Sequence, residues 1–145
     1  MNQLISYKIL TKPYNLILVV DLHLHHDLPM DIFLYVWIDL NNLSADRENG
    51  WVFPGNNADI QFLFKNGETR KLENDRESGE KHFATGFWRD NFNKLSEYRL
   101  ETLKMLQTLD LEAIRYNTSR RDYDFELTVK QQRDLKTIFK CVYNW

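Results

Sequence analysis

Three of the four histidines fall within one short segment, which reads Asp21-Leu22-His23-Leu24-His25-His26-Asp27. On a β-strand, side chains two positions apart project from the same face, with their Cα atoms about 6 to 7 Å apart. The imidazoles of His23 and His25 could therefore both bind one zinc ion. His26 points to the opposite face, so a third ligand has to be His82 or a carboxylate from elsewhere.

The run from Val19 to His25 resembles the first metal-binding strand of the amidohydrolases, and more closely that of the polymerase and histidinol phosphatase metal-dependent hydrolases. The resemblance implies that His23 and His25 are metal ligands, that Asp21 is a supporting acid and that the protein is a divalent-metal-dependent hydrolase. Those enzymes take further ligands from later strands of a large barrel, and a chain of 145 residues is too short for eight βα units.

An ordinary amphipathic strand explains the same residues without a metal. A half-buried strand needs polar residues at its outward positions. His25 can pair across a hairpin with Asp31, His23 can lie against the ring of Phe33, and Asp21 can accept a hydrogen bond from a tyrosine of the next strand. We prefer this interpretation, with no cofactor, and keep the hydrolase as the alternative.

Other catalytic arrangements find little support in the sequence. Cys141 is the only cysteine, so a disulfide or a CxxC pair within the chain is impossible, and its position in a predicted helix suggests a buried apolar thiol. No serine lies in a Gly-x-Ser-x-Gly elbow, and no glycine spacing matches a phosphate-binding loop. Asp122 and Asp124 fall on a predicted solvent face. We therefore expect a protein that is not an enzyme.

Composition sets the broad class. The chain is 43% hydrophobic and 28% charged, which is typical of one globular domain spanning residues 1–145. A net charge of -2 gives no field that would gather nucleic acid or anionic membrane. The sequence has no long apolar run and no basic leader, which together with the lone cysteine suggests a cytoplasmic protein.

Alternation of apolar and polar residues predicts strands at 4–11, 16–26 and 30–40. The second and third strands both place aliphatic residues at even positions. A hairpin keeps the two aliphatic rows on one face only if paired residue numbers have an even sum. A turn centred on Leu28 would set Val20 opposite Val36.

Later segments have stronger local signals. Asn66-Gly67 predicts a two-residue type I′ turn between strands at 60–65 and 68–72. Thr128 and Gln131 have the spacing of a capping box, which predicts a terminal helix over 129–143. The remaining predictions are a strand at 82–88, a helix from Ser96 to about Gln107, and a hairpin of 111–117 with 123–127.

These elements predict an α+β fold: a mainly antiparallel sheet of about six or seven strands connected by hairpins, with two helices. We expect the C-terminal helix to pack on the sheet. The final third resembles an ending that recurs in small bacterial α+β proteins, namely a strand, a turn, an alternating strand and a capped helix. That resemblance brings no activity with it.

Aromatic residues make up 14% of the chain. Several of them could form a surface for a ligand or a partner. The candidates are Phe33, Tyr35, Trp37 and Trp51, with Phe53, Phe87 and Trp88 as further members. Alternatively, the terminal helix covers this face and makes it core. If it is not covered, it is too apolar to stay in water and marks a surface for a protein partner or for self-association. The sequence thus favours a non-catalytic binding or protein-interaction module.

Overall fold

The computed structural model describes residues 2–9, 15–25, 28–39, 47–48, 51–52, 54–55, 57–75, 83–88 and 94–142. The elements of this part of the chain are, in order, β1 (Asn2–Ile9), β2 (Asn15–His25), β3 (Leu28–Asp39), β4 (Arg47–Glu48), β5 (Trp51–Val52), β6 (Asp59–Phe64), β7 (Thr69–Glu73), β8 (Phe83–Phe87), α1 (Glu97–Thr108), β9 (Leu111–Asn117), β10 (Asp122–Glu126) and α2 (Val129–Val142).

The strands form two antiparallel sheets of four strands each. The first sheet has the order β1-β2-β3-β8 and the second has the order β10-β9-β6-β7, while β4 and β5 form a separate two-stranded ribbon. The predicted α+β class with hairpin-connected antiparallel strands and two helices is confirmed. The strand count differs slightly, since eight strands form two sheets where six or seven strands in one sheet were expected. Because the strands form two sheets, the apolar faces of both sheets contribute to one cluster of buried side chains.

Alternation in the first hairpin produces the predicted faces. Among the side chains of β2 and β3 that the structure describes, those at even positions are buried, whereas their odd neighbours are only partly buried. The buried residues include Leu16, Leu18, Val20, Ile32, Leu34, Val36 and Ile38. The aliphatic row, not the aromatic row, therefore faces the core.

The register of this hairpin differs from the expected one by two residues. Val20 pairs with Leu34 rather than Val36, and His23 rather than His25 pairs with Asp31. The pairing changes register between His23 and His25, so that His25 lies opposite Leu28. The predicted parity is correct because an odd shift would turn one aliphatic row outward. The predicted turn is wrong because β3 already begins at Leu28; the two residues between the strands lie outside the described part.

The β6-β7 hairpin closes with one more residue than predicted. The Gly67 N–H donates to the Phe64 carbonyl at 2.9 Å, the Phe64 N–H donates to the Glu68 carbonyl at 2.9 Å, and Gly67 has a φ of 90°. This is a three-residue loop with a left-handed glycine, not the type I′ turn. It allows Ile60 to pair with Leu72, both of which are buried.

Both helices begin where their capping residues predict. The Arg99 N–H donates to Ser96 Oγ at 3.2 Å at the start of α1. At the start of α2, the Gln131 N–H donates to Thr128 Oγ1 at 3.2 Å and the Thr128 N–H donates to Gln131 Oε1 at 2.9 Å, which is a complete capping box. The described part of α2 ends at Val142, so the predicted end at Tyr143 lies outside it. No helix in the described residues is long and apolar enough to cross a membrane.

The helices join the two sheets. The Tyr98 hydroxyl of α1 accepts the outward N–H of Lys71 in β7 at 2.8 Å, and Arg99 Nε of α1 donates to the Gly86 carbonyl of β8 at 3.1 Å. The terminal helix α2 contacts α1 and β9, as predicted for a helix on the sheet. A direct contact between the sheets comes from Phe83 and Tyr116, whose rings meet edge to face at 5.2 Å.

Candidate functional site

The outward row of the first sheet carries the aromatic residues singled out in the sequence. Phe33 and Tyr35 lie on β3 on the face opposite the core, and both are partly exposed. The backbones of Trp37 and Trp51 belong to β3 and β5, but their side chains lie outside the described part, as does Phe53. Of the further members, Phe87 is buried in the core at 1% exposure, whereas Trp88 is partly exposed.

Three of the partly exposed side chains form a layered contact. The rings of Phe33 and Trp88 are stacked with centroids 5.8 Å apart and an interplanar angle of 20°. The guanidinium carbon of Arg99 lies 4.3 Å from the centroid of the Trp88 ring, within the range of a cation–π interaction. We call Phe33, Tyr35, Trp88 and Arg99 the aromatic surface.

Gly86 brings β8, which Trp88 directly follows, close to β3. It pairs with Phe33, and a Cβ atom on it would lie 2.1 Å from the Ile32 carbonyl oxygen. Its φ of 154° is also unusual for any other residue. Any side chain at this position would push β8 away from β3, so the glycine is needed for the Phe33–Trp88 stack.

The guanidinium of Arg99 is partly shielded from water. Burial lowers the pKa of its guanidinium, and the nearby carboxylates of Asp75 and Glu73 oppose that shift. Arg99 also lines a cleft of about 340 Å³ between β7 and α1. It therefore remains a cation that is fixed by two groups of one segment, the Gly86 carbonyl within β8 and the Trp88 ring directly after β8.

A carboxylate lies on the same face, across the sheet from Arg99. Asp21 of β2 pairs with Phe33 of β3, which in turn pairs with Gly86 of β8. Burial raises the pKa of the Tyr35 hydroxyl, and the charge of Asp21 raises it further. The row thus carries an acid near one end, aromatic rings in the middle and a guanidinium near the other end.

The histidine segment lies on β2 as predicted. The backbones of His23 and His25 belong to that strand, and the pairing change between them interrupts the simple alternation on which the two-ligand geometry depends. Their side chains lie outside the described part, and so do His26 and His82. Among the described residues no group of three or more His, Cys, Asp and Glu side chains could hold a metal ion. The metal site with Asp21 therefore stays a prediction.

Two other chemical possibilities have a clear structural outcome. Cys141 is exposed, contrary to the expected burial, because it lies two positions after the buried Phe139 and so points to another side of α2. Asp122 and Asp124 are exposed on β10 as predicted, and Asp124 forms an ion pair with Arg115 at 2.6 Å. Exposed carboxylates of this kind lack the unequal environments that acid–base catalysis requires.

Sequence analysis missed Arg99 and the role of Gly86. Arg99 is one of many charged residues in a helix with no strong apolar face, so its contact with Trp88 leaves no local signal. Gly86 could have been noticed, because it is the one glycine of its predicted strand and it precedes Phe87-Trp88. Comparison of the chain with protein-family models, curated proteins and solved structures gave no match.

Proposed function

We propose that this protein is a non-catalytic interaction module that associates with a second copy of itself through the aromatic surface. The observation that supports this function is the partly exposed stack of Phe33 and Trp88, with Arg99 held over the Trp88 ring. Large aromatic side chains and arginine are the residues that contribute most to protein–protein binding energy. Here they are fixed in place before any partner binds, which lowers the entropic cost of association.

The charges of this face favour a second copy as the partner. Asp21 lies on the Phe33 side of the row and Arg99 lies on the Trp88 side. A two-fold axis through the middle of the row would bring the guanidinium of each copy towards the Asp21 carboxylate of the other. Such an isologous contact needs a self-complementary patch, which an acid and a base at opposite ends provide. We place this module in the cytoplasm, in keeping with its single exposed thiol.

The proposal is tested by sedimentation velocity on the full chain over a wide range of concentrations. We expect a dimer that forms with increasing concentration, and we expect Trp88→Ala to weaken it. The matched control is Val129→Ala, which shortens an apolar side chain that is 64% exposed at the start of α2, outside the aromatic surface. This control should associate like the unaltered chain.

Two results would contradict the function. One is an unaltered chain that stays monomeric at the highest soluble concentration. The other is a Trp88→Ala variant that keeps its native circular dichroism spectrum and dimerises as well as the Val129→Ala control. Either result would show that the stack of Phe33 and Trp88 stabilises only the monomer.

A further inference from the structure

Strand β10 lies at one edge of the second sheet. Hydrogen bonds at its two ends show which of its residues bond to β9 and which point away from it. The Thr118 N–H donates to the Arg121 carbonyl at 3.0 Å, and the Leu127 N–H donates to the Glu112 carbonyl at 3.0 Å. Hydrogen-bonded positions alternate in an antiparallel pair, so Tyr123 and Phe125 bond to β9. The N–H and C=O groups of the three residues between them point away from β9; these are Asp122, Asp124 and Glu126.

Two other strand edges of the described structure are capped by the protein itself. The outward N–H of Lys71 in β7 donates to the Tyr98 hydroxyl. On β8, the Ala84 N–H donates to Asn74 Oδ1 at 3.0 Å and the Ala84 carbonyl accepts from the Asp75 N–H at 2.7 Å. Among the described residues no such cap faces the outward groups of β10.

The side chains of this edge decide what can pair with it. Asp122, Asp124 and Glu126 are all exposed and acidic, and they lie on the outer face of the sheet. In a two-fold pairing of β10 with β10 of a second copy, the outward-bonding positions would meet one another. In a pairing centred on Asp124, the Asp122 carboxylate would then lie directly opposite that of Glu126, which is unfavourable because both are acidic. A second copy is therefore a poor partner for this edge.

The inner side of the strand sets a second requirement. Tyr123 and Phe125 are 0% and 1% exposed and belong to the hydrophobic core. A strand added beside β10 would place every other residue next to this apolar layer, because strand side chains alternate between faces. On the outer face, a cavity of about 290 Å³ is lined by the apolar residues Leu63 and Ala113, by the ion pair of Arg115 with Asp124, and by Glu126.

We propose that the free edge of β10 binds an extended peptide in which Lys or Arg alternates with apolar residues. The backbone of such a peptide pairs with the outward groups of Asp122, Asp124 and Glu126. Its cations face the carboxylates of Asp122 and Glu126 on the outer side, where Asp124 is already paired with Arg115. Its apolar residues lie along the inner side, next to the buried Tyr123 and Phe125. This is strand addition to a sheet edge, with charge as the source of specificity.

The test uses the full chain and a synthetic, end-capped nonapeptide of alternating Lys and Val, labelled for fluorescence anisotropy. One control peptide has Glu in place of Lys, and another has the same composition with all Lys residues before all Val residues. We expect binding of the alternating Lys peptide only, weakening with salt because the charges are exposed. Equal binding of the block peptide would overturn the proposal, since it would show unspecific attraction.

A backbone variant separates strand addition from simple charge attraction. Asp124→Pro removes one outward N–H without touching the bonds from β10 to β9, since proline is tolerated where the N–H points away from the sheet. It also removes the carboxylate that pairs with Arg115, so its matched control is Asp124→Ala, which removes the same carboxylate and keeps the N–H. Relative to Asp124→Ala, we expect Asp124→Pro to weaken binding about tenfold, the effect of one lost hydrogen bond. Glu126→Lys should weaken binding as well, whereas the matched charge change Glu97→Lys on α1 should not. An Asp124→Pro variant that folds and binds normally would contradict the proposal.

Hydrogen exchange of the unaltered chain gives a readout that does not depend on any variant. Peptide binding should slow exchange of the amide protons of Asp122, Asp124 and Glu126. The amides of Tyr123 and Phe125 are already bonded to β9 and should change less. Binding without added protection at the three acidic positions would place the peptide elsewhere and would refute strand addition at β10.

Discussion

The Tyr7 hydroxyl donates a hydrogen bond of 2.7 Å to Asp134 Oδ2, which joins the first strand to the last helix across 127 positions of the chain. Lys130 Nζ donates to the same oxygen at 2.8 Å. The hydrogen bond from Lys130, followed by that from Tyr7, holds the pKa of the Asp134 carboxyl below its usual range. One carboxylate thus fixes α2 to the edge strand of the first sheet.

We expect Tyr7→Phe to lower the free energy of unfolding by roughly 1 kcal/mol, the net contribution of a partly buried hydrogen bond. The phenyl ring keeps the packing of Tyr7 against the core, so the change isolates the hydroxyl. Urea denaturation at neutral pH measures the difference. A variant as stable as the unaltered chain would show that the hydroxyl is equally well satisfied by water.

The pH dependence of the stability difference between Tyr7→Phe and the unaltered chain tests whether the Tyr7 hydroxyl causes it. Burial first, and then the hydrogen bond to Asp134, raise the pKa of Tyr7 from 10.0 to about 12. A raised pKa gives stability that is complete below the unfolded value and is lost as the pH rises through the folded value. The gap between Tyr7→Phe and the unaltered chain should therefore narrow between about pH 10 and pH 12. A gap that stays constant across this range would mean that Tyr7 titrates equally in both states.

Substitution by alanine should destabilise the protein far more at Gly86 than at Gly67. Gly86→Ala places a Cβ atom against the Ile32 carbonyl oxygen, so we expect a loss of several kcal/mol or failure to fold. Gly67 has a φ of 90° but nothing lies within 4 Å of a Cβ there, so Gly67→Ala should cost only about 1 kcal/mol. Thermal unfolding of both variants gives the comparison. Equal costs would show that β8 can move away from β3 without penalty.

Two fully buried threonines provide a matched pair for the energetics of the core. Thr85 and Thr102 are both 0% exposed, but Thr102 Oγ1 donates to the Tyr98 carbonyl at 2.7 Å, whereas Thr85 Oγ1 has no hydrogen-bond partner among the described residues. We expect Thr85→Val to raise the free energy of unfolding by about 1 kcal/mol, since it removes a buried hydroxyl that is not hydrogen-bonded. Thr102→Val should bring no such gain. Loss of stability in Thr85→Val would reveal a partner for that hydroxyl.

Local signals in the sequence were sufficient for most elements. Ser96 and Thr128 mark the starts of both helices because a side-chain oxygen at the cap satisfies N–H groups that the helix itself leaves free. Alternation assigned Tyr123 and Phe125 to the core and Asp124 to the surface for an equally local reason, the two-residue period of a strand. The β9-β10 hairpin therefore has the predicted bounds to within one residue.

The candidate site could be predicted only in part. Phe33, Tyr35 and Trp88 were named from composition and alternation, and all three are partly exposed in the structure. The same reasoning placed Phe87 with them, although Phe87 is buried. Strand period alone fails at β8, where all five residues are buried because the two sheets and α1 meet there.

The sequence by itself determined both helices and all strands except the short β4 and β5, which fall in a segment it predicts as a loop. It also determined which face of the first hairpin is apolar and where the caps lie, because each of these depends on neighbours a few positions away. Only the tertiary structure decided that eight strands divide into two sheets, that Val20 pairs with Leu34, and that Arg99 reaches Trp88. Those outcomes depend on contacts between distant segments, in which many registers bury nearly the same apolar area. Close packing across the whole core selects one of them.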